Sequence, residues 1–308
     1  MTKKIGCIGE AMVELSLGTG NSNDNDISLG YAGDTLNTAI YLKRLFGNSA
    51  EVSYCTVLGN DPLSARLIKF IESESIDTNT ISRSEQRGVG IYSISTDTKG
   101  ERTFNYWRDN SAARTLFSDG DFNALNSFDV VYFSAITLAI LPDNVRLKLL
   151  EKLANLRAEK NTIVVFDSNY RPALWESQTA AKTIIDKAWS ITDIALPSVD
   201  DEFAIFEEPN EATIVTRFNS YGVSTGALKR GAAGPLPLGS NTQDHANINY
   251  PSIEKVVDST AAGDSFNAGF LYTWLSENDH SAALLTGHNC AATVIGYAGA
   301  IVPMESWN

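Results

Sequence analysis

Val257-Asp258-Ser259-Thr260-Ala261-Ala262-Gly263-Asp264-Ser265-Phe266-Asn267-Ala268-Gly269-Phe270 is the stretch of sequence that decides the fold. Three small residues precede Asp264, and apolar residues then recur at helical spacing, which predicts a helix that begins near Gly263. Ile253 and Val256-Val257 predict a short strand just before it. A strand, a tight turn and a helix start therefore fall within about 15 residues, a spacing that is typical of βα units.

The turn into this helix has the chemistry of an anion site. The first N–H groups of a helix lack acceptors within the helix and attract negative charge, and small side chains let a phosphate approach the backbone. Asp264 stands at the edge of that site, where a general base for a hydroxyl nucleophile would have to be. The alternative is an N-capped helix in which Asp264 only accepts hydrogen bonds from backbone donors.

The composition excludes several classes of protein. Of 308 residues, 43% are hydrophobic and 20% are charged, which are globular values. The net charge of −13 and the lack of a basic run predict no nucleic-acid partner. The longest apolar stretch, Val130 to Leu141, is too short to span a membrane. The odd number of cysteines (Cys7, Cys55 and Cys290) has no metal-binding spacing and favours a reducing, cytoplasmic compartment.

Strands and helices alternate along the chain, and this order predicts an α/β fold with a mostly parallel central sheet covered by helices on both faces. We predict strands over 5–9, 52–58, 128–133, 163–166, 194–196 and 223–229. We predict helices over 34–45, 62–71, 142–158, 178–190 and 199–206, and from 263 and 281. Two ribbons, over about 12–30 and 88–107, fit no place in that sheet. We therefore expect a single domain over 1–308 in which these ribbons form a small β lid.

Asp258 to Gly269 resembles the C-terminal signature of the ribokinase/PfkB carbohydrate kinase family. That signature is an acid, a small residue, any residue, two small residues, Gly, Asp, three residues, then a small residue and Gly. Every position is filled in this chain. The resemblance implies a ribokinase-like fold and ATP as phosphoryl donor. It also implies that Ala261, Ala262 and Gly263 form the anion hole and that Asp264 is the catalytic base.

Ala32-Gly33-Asp34-Thr35-Leu36-Asn37 resembles the N-terminal signature of the same family. By this resemblance the Gly33 backbone approaches a sugar, and Asp34 and Asn37 bond to its hydroxyl groups. Many members have two glycines here, so Ala32 is a departure. The Asp-Thr-Leu-Asn version is similar to that of the family's 2-keto-3-deoxygluconate kinases and differs from the Pro-Ala-Asn of fructokinases. A capped helix with no ligand is the alternative.

Further resemblance to those sugar-acid kinases lies in Glu101 to Ala113 and in Asp167 to Trp175. It implies that the substrate is contacted by a set of aromatic, amide and cationic side chains: Tyr92, Tyr106, Arg108, Asn169 and Arg171. Tyr106 and Arg108 would share one face of a strand, because side chains alternate. Arg108 and Arg171 are the candidate partners for a carboxylate. The alternative for Tyr106 and Arg108 is an exposed cross-strand pair. The alternative for the segment from Asp167 to Trp175 is a loop capped by its own polar side chains.

The nucleotide side is implied by weaker resemblances. Ser198-Val199-Asp200-Asp201 stands where many members have Asn-x-x-Glu, a motif tied to magnesium and phosphate. Asp201 has a shorter arm than Glu, so we expect it to contact the metal through water. Pro235-Leu236-Pro237 departs from the expected strand, because proline removes backbone donors. The residues assigned to the nucleotide are Ser198, Lys229, Gly231, Gly234, Ala261, Ala262, Gly263 and Asn289.

Together these features predict an enzyme that uses ATP and Mg²⁺ to phosphorylate the primary hydroxyl of 2-keto-3-deoxygluconate. We also expect a homo-oligomer that pairs through the exposed edges of the lid. The enzymatic alternative is a fructokinase or another ketose kinase of the family. A non-catalytic sugar sensor would have no use for the base Asp264, and a nucleotide-binding structural subunit would release no ADP on sugar addition.

Overall fold

The computed structural model describes residues 2–17, 27–96, 102–239, 248–252 and 256–307. The strands are β1 (Lys3–Ile8), β2 (Met12–Leu17), β3 (Ile27–Ala32), β4 (Ala50–Gly59), β5 (Ile81–Ser84), β6 (Gly90–Thr96), β7 (Arg102–Trp107), β8 (Val130–Ser134), β9 (Ile163–Asp167), β10 (Ile194–Ala195), β11 (Thr225–Leu228) and β12 (Leu236–Leu238). The helices are α1 (Asp34–Phe46), α2 (Pro62–Ser73), α3 (Ala135–Ile140), α4 (Asp143–Lys160), α5 (Gln178–Ser190), α6 (Val199–Phe206), α7 (Glu211–Tyr221), α8 (Ala262–Glu277) and α9 (His280–Val294).

The larger sheet has the strand order β12-β11-β10-β9-β8-β1-β4-β5, and its neighbouring strands are parallel except for β12. Alternate residues of β8 point to opposite faces of the sheet. Val131 and Phe133 pack on one face with helices α3, α4 and α5. Val130 and Tyr132 pack on the opposite face with α1, α8 and α9. A buried parallel sheet needs helices on both faces. The predicted α/β fold with a mostly parallel, doubly covered sheet is confirmed.

Pro235 and Pro237, which depart from the expected strand, lie at the edge of this sheet. β12 is the terminal strand, and Pro237 pairs with Ala227 of β11 in antiparallel register. An edge strand needs hydrogen-bond donors on only one side, so proline is tolerated there. The departure at 235–237 therefore leaves the sheet intact.

A second sheet, of order β3-β2-β6-β7, is built from the two ribbons that fitted no place in the larger one. Residues 18–26 and 97–101 of the predicted ribbons lie outside the described residues. One face, called here the inner face, carries Met12, Glu14, Tyr92 and Tyr106 in paired positions. Its apolar residues Met12, Ala32, Tyr92 and Ile94 form a buried cluster with Ala300, and Ala261 packs against it. Ala32, which replaces the glycine that many family members have, therefore packs in this buried cluster.

The opposite face of this sheet, called here the outer face, packs against the larger domain at one end only. Val13 is fully buried, and the Tyr31 ring stacks on Phe70 of α2 with centroids 4.9 Å apart. At the other end Leu17, Ile27 and Leu29 are exposed, as is Trp107 at the edge strand. An apolar row of this kind on a sheet surface is unusual for an isolated domain.

The structure departs from the sequence prediction in four places. Val256 and Val257 lie in a loop and the predicted strand is wrong there, because the N–H of Val257 bonds to the carbonyl of Ile295 rather than to a strand. Ile253 lies outside the described residues. Helix α7 was not predicted, although its N-cap Asn210 and the left-handed Gly222 at its end are ordinary helix boundary signals. Strand β5 and the short helix α3 were not predicted either.

The three cysteines are buried and free. Burial raises the pKa of both Cys55 and Cys290 to about 12, so these thiols stay protonated. Among the described helices, none is long and apolar enough to cross a membrane.

We expect Gly33→Ala to destabilise the protein, because an added Cβ would lie 2.2 Å from the backbone oxygen of Glu10. The free energy of unfolding should fall by about 1–3 kcal/mol in urea titration. Gly30→Ala is the matched control, since its Cβ would lie at an ordinary 3.6 Å from the Glu14 side chain. Equal stability of the two variants would contradict this packing.

Candidate active site

The start of helix α8 is an open backbone cradle. Its N-cap, Ala261, has left-handed backbone angles (φ 61°, ψ 14°), and no side chain in the described part of the chain caps the helix. A non-glycine residue in that region costs free energy, and such strain is concentrated at functional sites. Among the described residues, a Cβ added at Gly263 would have one neighbouring atom within 4 Å, the Lys229 Nζ at 3.6 Å. The first-turn N–H groups therefore lie in a space that an anion can enter.

Asp264 lies in the first turn of α8 and is buried, with 8% of its surface exposed. Its Oδ2 accepts a hydrogen bond of 2.8 Å from the Asn37 side-chain amide. Burial raises the pKa of Asp264 to about 8, and the nearby charges of Asp34 and Asp167 act in the same direction. A carboxylate with a pKa near neutrality is suited to accept a proton from a hydroxyl group.

The first turn of α1 contributes Asp34 and Asn37 to the same place. The Oδ1 of Asn37 accepts a hydrogen bond of 3.4 Å from the Gly33 N–H, which leaves its amide N–H groups directed toward Asp264. The Asp34 carboxylate accepts hydrogen bonds from Ser134 Oγ and from Asn169 Nδ2, the latter at 3.1 Å. Burial raises the pKa of Asp34. The two sequence signatures, 227 residues apart at Asn37 and Asp264, therefore meet in one cluster.

Lys229 supplies a positive charge beside the cradle. Its Nζ donates to Asp167 Oδ1 at 2.9 Å and to Asn267 Oδ1 at 3.1 Å. Asn267 Nδ2 in turn donates to Asp167 Oδ2 at 2.7 Å. No role in binding or catalysis was expected from the sequence for Asp167, Asn267 or Ser134. The available signals were that Asp167 ends a buried strand and that Asn267 lies three residues after Asp264 on one helix face.

The inner face of the second sheet brings aromatic and cationic groups toward the cluster. Tyr92 is buried, its hydroxyl donates to the Glu14 carboxylate, and its ring stacks on Tyr106 with centroids 5.7 Å apart. Arg108 lies one residue beyond β7 and is buried, with its guanidinium carbon 5.9 Å from the Tyr106 ring centroid. The positive charge of Arg108 lowers the pKa of Asp34, against the larger effect of burial, so the two groups interact electrostatically.

Arg171 occupies a different position. Its side chain is exposed, and its Nη1 donates to the Tyr170 carbonyl at 2.8 Å. Its positive charge lowers the pKa of Asp201. No contact between described residues joins Arg171 to Asp34 or Asp264. Asn169, two residues earlier, is the member of that segment that the structure brings to Asp34.

Ser198 and Lys229, both assigned to the nucleotide, follow the neighbouring strands β10 and β11 of the larger sheet. Ser198 caps α6, and Asp201 accepts a hydrogen bond of 2.9 Å from Ser168 Oγ. The Val199 N–H donates to the Lys229 carbonyl at 2.9 Å, which ties this helix start to Lys229. Gly231 and Gly234 have positive φ values of 54° and 74° and form the turn after β11. Asn289 is exposed on α9.

Burial raises the pKa of Asp201, and the nearby Asp167 contributes in the same direction. A cation would therefore be favoured beside this carboxylate. Among the residues that the structure describes, no group of three or more His, Cys, Asp or Glu side chains could hold a metal ion. Magnesium commonly uses one or two carboxylates together with substrate phosphates and water, and the single carboxylate of Asp201 fits that mode.

Comparison with known proteins gives consistent matches. The family described as pfkB family carbohydrate kinase matches residues 2–307. The 2-dehydro-3-deoxygluconokinase of Escherichia coli K12 is 40% identical over 313 residues, which cover 99% of this chain and 99% of the relative. The 2-dehydro-3-deoxygluconokinase of Haemophilus influenzae is 38% identical over 305 residues, covering 97% and 96%.

Among solved structures, the 2-dehydro-3-deoxygluconokinase of Thermotoga maritima superposes with a TM-score of 0.83. The match covers 98% of this chain and 95% of that chain at 22% sequence identity. At this identity the likeness concerns the fold, and it agrees with the two-sheet architecture described above.

We expect Asp264→Asn to be more stable than the natural protein at alkaline pH. The folded protein holds a proton on Asp264 up to about pH 8, whereas an unfolded chain releases it near the ordinary value of 3.8. Stability should therefore fall as pH rises between these values, because ionisation of a buried carboxyl is unfavourable. Asparagine does not titrate, so the Tm difference in favour of the variant should grow from pH 5 to pH 9. A difference that does not change with pH would contradict the raised pKa.

Proposed function

The chain belongs to the PfkB family of carbohydrate kinases, and on that premise we propose that it transfers the γ-phosphoryl group of ATP to the primary hydroxyl of 2-keto-3-deoxygluconate. This sugar acid is the 2-dehydro-3-deoxygluconate in the names of the E. coli and Haemophilus relatives. The observation that carries the choice of an acid is Arg108, a buried cation beside the sugar-binding candidates. Its Nε has no hydrogen-bond acceptor among the described residues.

In the proposed reaction Asp264 orients the hydroxyl and takes its proton as the oxygen attacks the γ-phosphorus. The bond from that phosphorus to the bridging oxygen breaks, and ADP leaves. Phosphoryl transfer passes through a loose transition state, so positioning and charge stabilisation supply most of the catalysis. The cradle at Ala261, Ala262 and Gly263 and the Lys229 ammonium are placed to stabilise the negative charge of the transferred group.

The substrate would lie between the first turn of α1 and the inner face of the second sheet. Four residues would bond to its hydroxyl groups: Gly33, Asp34, Asn37 and Asn169. Asn37 bonds both to Gly33 and to Asp264, and Asn169 bonds to Asp34, whose charge raises the pKa of Asp264. Tyr92 and Tyr106 would flank it, and Arg108 would pair with its carboxylate. A planar guanidinium group can bind a carboxylate through two parallel hydrogen bonds, that is, bidentately. Arg171 is the second candidate, and its side chain is exposed.

ATP would extend from the cradle along α6 and the turn after β11. Ser198, Lys229, Gly231, Gly234 and Asn289 would line its site. Magnesium would be held near Asp201 through water and would neutralise charge on the phosphates. The chain over 1–308 would act as one kinase domain, and the sheet from about 12–30 and 88–107 would be its lid. A lid that excludes water protects ATP from hydrolysis during transfer.

A fructokinase or another ketose kinase is the alternative for the same site. A neutral ketose has no carboxylate to accept hydrogen bonds from the Arg108 guanidinium, whose Nε has no acceptor among the described residues, so Arg108 favours the acid. The buried base Asp264 disfavours a non-catalytic sensor, since a carboxyl group with a pKa of about 8 lowers stability at neutral pH with no benefit to binding alone.

A screen of ADP release over sugars and keto-acids tests this proposal. We expect 2-keto-3-deoxygluconate to give the highest kcat/KM, and Asp264→Asn to lower turnover by about 10²–10⁴-fold. Arg108→Lys should lose one to two decades, that is about 10–100-fold, in kcat/KM on the acid, because lysine lacks the planar fork. Arg171→Lys should lose a similar amount if Arg171 also binds the carboxylate.

Fructose is the control substrate for these arginine variants. Any residual activity on this neutral ketose should change much less than activity on the acid, because a folding defect would lower both together. A natural enzyme that prefers fructose, or variants that lose both activities equally, would favour the ketose kinase.

We propose further that two copies pair through the outer face, in the cytoplasm. Its exposed apolar row of Leu17, Ile27, Leu29 and Trp107 offers a surface that a second copy would bury. We expect Ile27→Glu, at a side chain 60% exposed, to lower the molecular mass found by analytical ultracentrifugation. Leu147→Glu, on the exposed surface of α4, is the matched control and should not change it. A monomeric natural protein, or an unchanged mass for Ile27→Glu, would rule out this interface.

A further inference from the structure

Glu10 is a buried carboxylate that neither sequence signature contains. Only 1% of its surface is exposed, and it lies just after β1, where the chain leaves the larger sheet. Its Oε2 forms an ion pair with Nη2 of Arg108, whose side chain is also buried. A buried charge without a partner is unfavourable, so this ion pair fixes the positions of both side chains.

The chain segments that join the two sheets converge on Glu10. An added Cβ at Gly33, before α1, would lie 2.2 Å from the Glu10 carbonyl oxygen. An added Cβ at Gly90, at the start of β6, would lie 2.8 Å from Glu10 Oε1 and 3.4 Å from Arg108 Cβ. Glu10 therefore sits where the segments before β2, after β3, before β6 and after β7 meet.

Arg108 needs such a partner because of where it lies. It follows β7, which is the edge strand of its sheet, so its side chain could otherwise turn outward to water. An unpaired buried guanidinium would favour that turn strongly. The pair with Glu10 holds the guanidinium in the site before any substrate arrives, while its Nε has no hydrogen-bond acceptor within the described part of the chain.

We propose that Glu10 is a positioning residue: it holds Arg108 in the orientation in which the substrate carboxylate can share the guanidinium. This inference rests on the proposed sugar-acid kinase function. The inference goes beyond that function, because the preference for an acid then depends on Glu10, whose carboxylate does not touch the substrate. Preorganisation of this kind improves affinity by removing the cost of ordering the side chain on binding.

A merely structural role for Glu10 predicts a different result from a positioning role. If Glu10 only joined the two sheets, its loss would lower the folded fraction or kcat and would affect both substrates. If it positions Arg108, its loss weakens binding of the acid and spares binding of ATP. The separation of KM from kcat, with direct binding of the acid by calorimetry in the absence of ATP, distinguishes the two.

The test uses Glu10→Gln, Arg108→Lys and the double variant of the full chain. We expect Glu10→Gln to raise the KM and Kd for 2-keto-3-deoxygluconate on the order of tenfold. The KM for ATP and kcat should stay within about threefold. In the Arg108→Lys background the same substitution should add less than about threefold, because residues that act through one contact are not additive.

Glu74→Gln is the matched control, because Glu74 also forms an ion pair with an arginine, Arg44, whose side chain is 3% exposed. It should leave the KM for the acid unchanged. If Glu10→Gln fails to fold, Glu10→Asp keeps the charge with a shorter reach and should raise the same KM by a smaller factor. Full additivity with Arg108→Lys, or equal changes in both KM values, would overturn the inference.

Failure of this inference is distinguishable from failure of the proposed function. If Arg108→Lys raises the KM for the acid and Glu10→Gln does not, Glu10 has no positioning role and the sugar-acid assignment stands. If Arg108→Lys leaves that KM unchanged, recognition of the carboxylate by Arg108 is wrong, and the role proposed for Glu10 falls with it.

Discussion

The hydrogen bond from Asn37 to Asp264 is the contact on which the candidate site depends. It joins the first turn of α1 to the first turn of α8, and these helices pack on the same face of the larger sheet. Burial makes the ionised form of Asp264 costly, while the Asn37 donor stabilises that form. The balance raises the pKa of Asp264 to about 8, so its carboxylate is a stronger base than that of an ordinary aspartate.

Two of the cations proposed to bind anionic groups are themselves held by carboxylates. Lys229 is bonded to Asp167, and Arg108 is paired with Glu10. In a chain with a net charge of −13, long-range attraction of an anionic substrate is absent, so local cations must supply it. Partners that fix these cations in place reduce the ordering cost when phosphate or carboxylate arrives.

The sequence by itself determined the succession of elements. Alternating strands and helices predicted the parallel sheet, and helices α5 and α6 have the predicted bounds of 178–190 and 199–206. These features depend on periodicity and on capping residues, which act over a few positions. The strand proposed at Val256-Val257 failed because β-branched residues indicate a strand only where a neighbouring strand is available to pair, and here the N–H of Val257 bonds to Ile295.

Only the tertiary structure decided which side chains meet. The ends of strands β9 and β11 are separated by β10, yet Lys229 reaches Asp167 across that edge. The pairing of Glu10 with Arg108 joins a residue before β2 to a residue after β7, although β6 lies between these two strands in the sheet. Such contacts follow from strand order and from the direction of each side chain, and neither is encoded in local periodicity. The sequence therefore identified the two signatures and Arg108, while the fold determined their distances, their pKa shifts and the partners that hold them.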